Sequence, residues 1–204
     1  PLFINNIYNN KPAIRFDGSN DFLYTDTVFS QSMSLFFVSK PNDNSTLGWI
    51  IAQLTTNPRL GWFVNSPSNS FSLFSDLSSA NIALHNLKPF IFSFTNNAQS
   101  GGAKNYYNKT FINASTIGSV APARVTFGCR NFLSPSAFFK GDIVEIILYN
   151  NALADSNRIK VENYLHFKYA PPVNLGPDIW ANNFCKDTIF ASNRFLKYKW
   201  NTAN

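Results

Sequence analysis

Residues 138–170, which read FFKGDIVEIILYNNALADSNRIKVENYLHFKYA, decide the fold of this chain. The side chains from Gly141 to Tyr149 predict a strand with one wholly apolar face and one mixed face: Val144, Ile146 and Leu148 against Ile143, Glu145, Ile147 and Tyr149. Such a pattern is typical of a strand inside a sandwich. Asn150 and Asn151 then favour a turn, because asparagine tolerates turn geometry that β-branched residues avoid.

A helix is predicted after this turn. Asp155 or Ser156 can cap it, because a side-chain oxygen at that position accepts a hydrogen bond from a free backbone N–H. Ile159, Tyr164 and Leu165 follow as part of an apolar stripe at helical spacing. The segment therefore predicts a long strand followed by one short amphipathic helix.

The chain before this segment is divided by turn residues into short apolar runs. About a dozen runs, such as MSLFFVS at 33–39 and FIFSFT at 90–95, alternate with turns that contain Asn, Gly or Pro. We expect no sustained helix before residue 155. Short strands at regular spacing predict an all-β fold of two packed antiparallel sheets.

The composition limits the class of protein. The 204 residues suffice for one sandwich of about 170 residues and little else. Twenty-one Phe and only 14% charged residues indicate a large buried core, and no apolar run is long enough for a membrane-spanning helix. The net charge is +6, but Lys and Arg are scattered. Nucleic-acid binding needs a concentrated basic patch and is therefore disfavoured.

Two separated stretches carry a family pattern. The closing stretch supplies ten matching residues: Gly141, Asp142, Ile143, Glu145, Tyr149, Asn150, Leu153, Tyr164, Leu165 and Lys168. The opening stretch is KPAIRFDGSNDFL at 11–23, a strand and turn. Together they resemble the concanavalin A-like lectin/glucanase superfamily in its laminin-G-like branch. This resemblance implies a jelly-roll sandwich with one short C-terminal helix over residues 1–170.

A second segment is predicted after Pro171 and Pro172, which favour an extended spacer. Residues 171–204 contain Leu-Gly-Pro-Asp at 175–178, Cys185 and Tyr-Lys-Trp at 198–200. They resemble the first half of an immunoglobulin-like (PKD-like) repeat of large secreted Bacteroidetes proteins. We expect this incomplete repeat to pack on the first domain or to be poorly ordered. The resemblance implies an adhesin-like multidomain protein that is secreted or lies on the cell surface.

Two interpretations of the cysteines stay open. Cys129 follows an apolar run, where a small buried thiol is the ordinary explanation. A disulfide between Cys129 and Cys185 is the alternative, although nothing in the spacing places the two residues within bonding range.

The residues that a glycosidase needs are missing from the sequence. Retaining enzymes use two carboxyl groups about 5 Å apart, one as acid and one as nucleophile. The chain has only Glu145 and Glu162, and no acidic residue neighbours Glu145 on its predicted strand face. His85 and His166 are far apart and form no zinc-binding spacing. We predict that the chain is not an enzyme and has no organic cofactor.

Calcium is the inorganic ligand that the resemblance implies. Many laminin-G-like domains bind Ca²⁺ through an Asp directly before the strand Glu, and this position is Val144 here. Asp17, Asp21 and Asp142 are the candidate ligands, because carboxylate oxygens suit Ca²⁺. In the alternative interpretation, Asp17 and Asp21 bond turn amides and Asp142 caps a strand end.

Four aromatic residues near Asn-rich loops are candidates for binding a sugar: Trp49, Trp62, Tyr106 and Tyr107. Flat aromatic faces match the apolar faces of pyranose rings. Trp49 and Trp62 could instead fill the core. Tyr106 and Tyr107 are adjacent in a predicted strand and point to opposite faces, so we expect one of them to face solvent.

Three functions fit this sequence. The first is a non-catalytic module that binds a glycan or another surface. The second is a structural spacer, and the third is an accessory domain of a larger polysaccharide-processing enzyme. In each case the expected partners include neighbouring domains of a longer chain, with no insertion into a membrane.

Overall fold

The computed structural model describes residues 1–26, 30–43, 46–53, 60–65, 70–75, 79–83, 88–117, 124–131 and 133–169, with the backbone alone at 65, 70–75 and 79–83. The predicted spacer and immunoglobulin-like repeat at 171–204, with Cys185, lie outside these residues, as does His85.

The described residues form thirteen strands and one helix: β1 (Leu2–Tyr8), β2 (Lys11–Asp17), β3 (Leu23–Thr25), β4 (Ser32–Pro41), β5 (Gly48–Gln53), β6 (Leu60–Asn65), β7 (Ser70–Ser75), β8 (Ser79–Ala83), β9 (Phe90–Asn97), β10 (Ala103–Tyr107), β11 (Thr110–Ser115), β12 (Val125–Phe127), β13 (Lys140–Tyr149) and α1 (Asp155–Tyr169).

The strands form two antiparallel sheets that pack face to face. The large sheet has seven strands in the order β1-β2-β13-β4-β9-β10-β11, and the small sheet has six in the order β3-β12-β5-β6-β7-β8. With α1 as the single helix of the described chain, this confirms the predicted all-β jelly-roll sandwich with one short C-terminal helix.

Strand β13 lies inside the large sheet and contains a β-bulge between Ile143 and Glu145, where its register with β4 shifts. A bulge adds one unpaired residue and so changes the face on which the side chains before it lie. Ile143 therefore joins Ile146 and Leu148 in the core, whereas Val144 packs on the helix side. The predicted faces were wrong for Ile143 and Val144 because simple alternation ignores the bulge.

Aromatic rings fill the middle of the sandwich. The ring centroid of Phe37 lies 5.3 Å from Phe92, 6.0 Å from Phe90 and 6.4 Å from Trp62. Trp62 in turn lies 5.2 Å from Phe94 in an edge-on arrangement. Each such ring buries a large apolar area, so this cluster is a main source of stability.

Helix α1 covers the outer face of the large sheet. Leu165 is fully buried and belongs to a cluster with Phe36 and Ile91. The predicted stripe was wrong for Ile159 and Tyr164, whose side chains are 43% and 48% exposed. The described part of the chain contains no helix that could cross a membrane.

A buried carboxylate joins the N-terminal hairpin to β13. Asp142 accepts hydrogen bonds from the Tyr8 hydroxyl (2.7 Å) and from Nε and Nη2 of Arg15 (2.7 and 2.9 Å). Burial by itself would raise the pKa of Asp142, but the hydrogen bonds from Arg15 and Tyr8 outweigh it and lower the pKa. Asp142 is therefore an ionised and fully bonded part of the fold.

Replacing Asp142 by Asn should destabilise the protein at neutral pH and less so in acid. Hydrogen bonds to a charged group contribute about 1.5–3 kcal/mol, so we expect a loss of about 2–3 kcal/mol at pH 7. A carboxylate with a lowered folded pKa stabilises the fold above its unfolded pKa and loses this contribution as the pH falls through the folded pKa. Urea unfolding followed by circular dichroism at pH 7 and at pH 3 measures the difference.

The matched control is Asp26→Asn, since the Asp26 side chain is 82% exposed. Its effect should stay below about 0.5 kcal/mol at both pH values. A destabilisation by Asp142→Asn that is equal at pH 7 and pH 3 would contradict the role of the ionised carboxylate.

Candidate functional site

The two predicted tryptophans are buried. Trp62 is completely enclosed in the core between the sheets. Its ring therefore offers no face to a ligand, which does not fit the stacking role proposed from the sequence. Trp49 lies on the outer face of the small sheet with 5% of its surface exposed, and its ring packs at a tilt against Phe63, with 4.6 Å between the ring centroids. Gly61 leaves room for this ring, because a Cβ there would lie 2.6 Å from Trp49 Cζ3.

The two predicted tyrosines point to opposite faces of β10, as alternation requires. Tyr106 is 5% exposed and lies between the large sheet and α1, where the Arg158 guanidinium carbon is 3.7 Å from its ring centroid. Tyr107 is half-buried and stacks on Phe90 at 5.2 Å. Neither ring is freely exposed, because α1 covers Tyr106 and Tyr107 packs against the core between the sheets.

The three predicted calcium ligands each have protein partners. Asp17 accepts hydrogen bonds from the backbone N–H groups of Ser19 and Asn20, and Asp21 accepts one from that of Asp17. These contacts match the turn interpretation, and Asp142 is occupied by Tyr8 and Arg15 as described. Within the described ranges, no group of three or more His, Cys, Asp or Glu side chains is arranged to hold a metal ion. Calcium binding stays a prediction.

A polar pocket lies on the outer face of the large sheet, beside the N-terminal end of α1. Its volume is about 290 Å³, and its walls come from β9, β10, the loop between them and the segment that leads into α1: Thr95, Asn97, Gly102, Lys104, Ala152, Leu153, Ala154 and Asp155. Hydroxyl, amide, ammonium and carboxylate groups thus surround one space.

Two serines of β4 hold the wall that leads into α1. Ser34 Oγ donates to the Asn151 carbonyl (3.0 Å) and accepts from the Leu153 N–H (2.8 Å). Ser32 Oγ accepts from the Ala152 N–H at 3.0 Å. Because both serines belong to a buried strand, the wall is fixed relative to the sheet.

The loop after β9 forms the opposite wall. Asn97 Oδ1 accepts a hydrogen bond from the Gln99 N–H (3.1 Å), and the Gly102 N–H donates to the Gln99 carbonyl (2.9 Å). Gly101 has a φ of +67°, which suits a residue without Cβ. The loop is therefore closed by its own hydrogen bonds, which set the position of Asn97.

Asp155 is the acceptor at the edge of the pocket. Its Oδ1 accepts hydrogen bonds from Arg158 Nε (3.2 Å) and the Tyr106 hydroxyl (3.3 Å), while its side chain is 64% exposed. The hydrogen bond from Arg158 lowers the pKa of Asp155 more than burial raises it. The carboxylate is therefore charged at neutral pH, and the hydroxyl of Tyr106 on the large sheet orients it.

Arg158 is held in turn by Glu162. Its Nη1 lies 2.7 Å from both carboxylate oxygens of Glu162, and both residues are buried between α1 and the large sheet. Burial lowers the pKa of Arg158, but the contacts to Glu162 and Asp155 raise this pKa by more than burial lowers it. The guanidinium therefore stays charged. Sequence analysis identified Tyr106 as a candidate residue. It did not predict that the Tyr106 hydroxyl supports the Asp155 carboxylate of α1.

Comparisons with known proteins are limited to structure, since no family model and no curated protein matches the sequence. Domain 4 of AbnA, a GH43 extracellular arabinanase of Geobacillus stearothermophilus solved with arabinotriose, gives a TM-score of 0.60 at 19% identity and covers 74% of this chain and 76% of that domain. The CBM40 of the Ruminococcus gnavus IT-sialidase, bound to α2,3-sialyllactose, gives 0.58 at 10% identity and covers 74% and 95%.

A third similar structure is the heptameric SAP-like pentraxin of Limulus polyphemus, with a TM-score of 0.60, 14% identity and coverage of 92% of this chain and 94% of that one. These three structures share the fold of this chain. They are compatible with the concanavalin A-like architecture predicted from the sequence, and at such low identity they show the fold alone.

Proposed function

We propose that this chain is a non-catalytic glycan-binding module and that the polar pocket beside α1 is its binding site. The observation that carries the proposal is the set of groups around one space of about 290 Å³: a charged carboxylate, an ammonium, an amide and a hydroxyl. A sugar offers neighbouring hydroxyls that both donate and accept hydrogen bonds. This set of groups contains acceptors for the donated bonds and donors for the accepted ones.

Each side chain has a distinct role in this proposal. Asp155 accepts from sugar hydroxyls, Lys104 donates to them, and Asn97 and Thr95 do either. The carbons of Leu153 and its neighbours contact the apolar C–H face of the ring. The arabinotriose and α2,3-sialyllactose of the similar structures support this ligand class.

We further propose that the module belongs to an adhesin-like protein that is secreted or exposed at the cell surface. The resemblance of residues 171–204 to a repeat of such proteins supports this context. An accessory domain of a polysaccharide-processing enzyme is the related alternative, and the arabinanase domain among the similar structures favours it.

A structural spacer is the second candidate. Burial of Trp49, Trp62 and Tyr106 favours it, because none of these rings is free to stack on a sugar. The spacer and the binding module differ in one measurable property, which is affinity for any glycan.

Lys104→Ala should weaken glycan binding about tenfold or more, equivalent to about 1.4 kcal/mol. The probe is a glycan array of neutral and acidic oligosaccharides that includes arabinotriose and α2,3-sialyllactose, followed by calorimetry on the best ligand. The matched control is Lys109→Ala, because Lys109 is exposed and hydrogen-bonds to Asn163 on α1 rather than lining the pocket. This control should bind as the unaltered chain does.

Two results would overturn the proposal. If no glycan binds the unaltered chain, the spacer function is favoured. If Lys104→Ala binds the glycan as tightly as Lys109→Ala and the unaltered chain do, the glycan lies elsewhere. Asp155→Asn should then also keep the glycan affinity of the unaltered chain.

A further inference from the structure

A second cavity opens between the two sheets at the edge formed by β3 and β13. Its volume is about 310 Å³, at the lower end of the range of small-molecule pockets. Leu35, Ile51 and Val125 form its buried floor. The floor therefore combines β4 of the large sheet with β5 and β12 of the small sheet.

The topology explains why the sandwich is open at this edge. β2 pairs with β13 only from Lys140 to Ile143, so the second half of β13 has no such neighbour. On the small sheet, β3 has only three residues. The mouth is lined by half-buried residues of these short or partly paired strands: Thr25, Phe127, Ile146 and Leu148.

Side-chain size explains why the edge is not filled. The middle of the sandwich is packed with the rings of Phe37, Phe92 and Trp62. Towards the cavity, the inward position of β4 is Leu35 instead of a ring. Smaller aliphatic groups of the described residues therefore leave space between the sheets at this edge.

The lining selects the chemistry of a ligand. None of the described lining residues is charged, and Thr25 supplies the only side-chain hydroxyl among them. Water in such a space finds too few hydrogen-bond partners, whereas an apolar molecule gains contacts and releases that water. A carboxylate or an ammonium would lose hydration, and none of the described lining residues carries an opposite charge to replace it.

We propose that this cleft binds one neutral apolar molecule, an alkyl chain or a small hydrocarbon ring. The site is separate from the polar pocket, which lies on the outer face of the large sheet. The chain then has two ligand classes, a glycan outside the sandwich and an apolar molecule inside its edge.

The test uses the full 204-residue chain and the neutral fluorescent probe N-phenyl-1-naphthylamine. We expect one saturable site. Ile146→Phe, which fills the cleft, should weaken probe binding at least tenfold. The matched control Ile159→Phe adds the same bulk to the exposed surface of α1 and should leave the affinity unchanged. Decanol should displace the probe at a lower concentration than decanoate at pH 7.

Folding of each variant is checked by its melting temperature. Leu148→Phe fills the same mouth and replaces Ile146→Phe if that variant does not fold. The proposal is overturned if the unaltered chain shows no saturable binding, if a folded filling variant keeps its affinity, or if decanoate competes as well as decanol.

Discussion

Replacing Trp62 by Ala is expected to lower the free energy of unfolding by about 3–5 kcal/mol, because it leaves a cavity at the centre of the aromatic core. Trp62 contacts Phe37, Phe92 and Phe94 from the opposite sheet, so its loss removes contacts between the two layers. Urea unfolding followed by far-ultraviolet circular dichroism measures the change.

The control for this substitution is Phe111→Ala. Phe111 is also aromatic, but it is exposed on β11 at the edge of the large sheet. Its replacement should cost less than about 1 kcal/mol. Equal losses for the two variants would show that Trp62 does not hold the sheets together. Where Trp62→Ala remains folded, it should keep its glycan affinity, because the ring does not reach the polar pocket.

Glu162→Ala should be comparably destabilising. It leaves the Arg158 guanidinium buried between α1 and the large sheet without its main counter-ion, and breaking a buried pair in this way costs about 3–5 kcal/mol. The stacking of Arg158 on Tyr106 remains, but Asp155 becomes its only carboxylate partner among the described residues. The same urea experiment measures the loss.

The double variant Arg158→Met with Glu162→Leu separates charge from packing. Because both charges are removed together, most of the lost stability should return. If the double variant is as unstable as Glu162→Ala, the buried pair is not the cause. Glycan binding should fall in both variants, since Asp155 loses the support of a correctly placed Arg158.

The succession of strand and turn patterns in the sequence was sufficient to predict the architecture. Alternation in β13 and the asparagine turn after it correctly predicted a strand followed by the only helix of the described residues. The bulge at Val144 could not be predicted from the sequence. The extra residue is stabilised by the pairing of β13 with β4 and β2 and not by any local sequence preference.

The helix shows how tertiary partners override a local pattern. The spacing of Arg158 and Glu162 is that of an ordinary surface ion pair. Tyr106 lies under them in the folded chain, so the pair is buried and Ile159 faces outwards instead. Helical periodicity alone cannot rank these two faces.

The polar pocket was also beyond reach of the sequence. Lys104 and Asp155 belong to β10 and α1, and three strands of the described residues lie between these two elements along the chain. Asp155 was predicted only as a cap, and Lys104 was not singled out. Their meeting depends on the crossover that lays α1 over the large sheet, and no local motif encodes that placement.

The position of β13 has a kinetic consequence. The strand that joins β2 to β4 is the last strand among the described residues, and Arg15 and Asp142 are 127 positions apart. A ribosome-bound chain that has not reached this strand exposes the edges of β2 and β4, which can pair with other molecules. Folding should therefore be slow and chaperone-sensitive, with the large sheet closing only when synthesis of the sandwich is nearly finished.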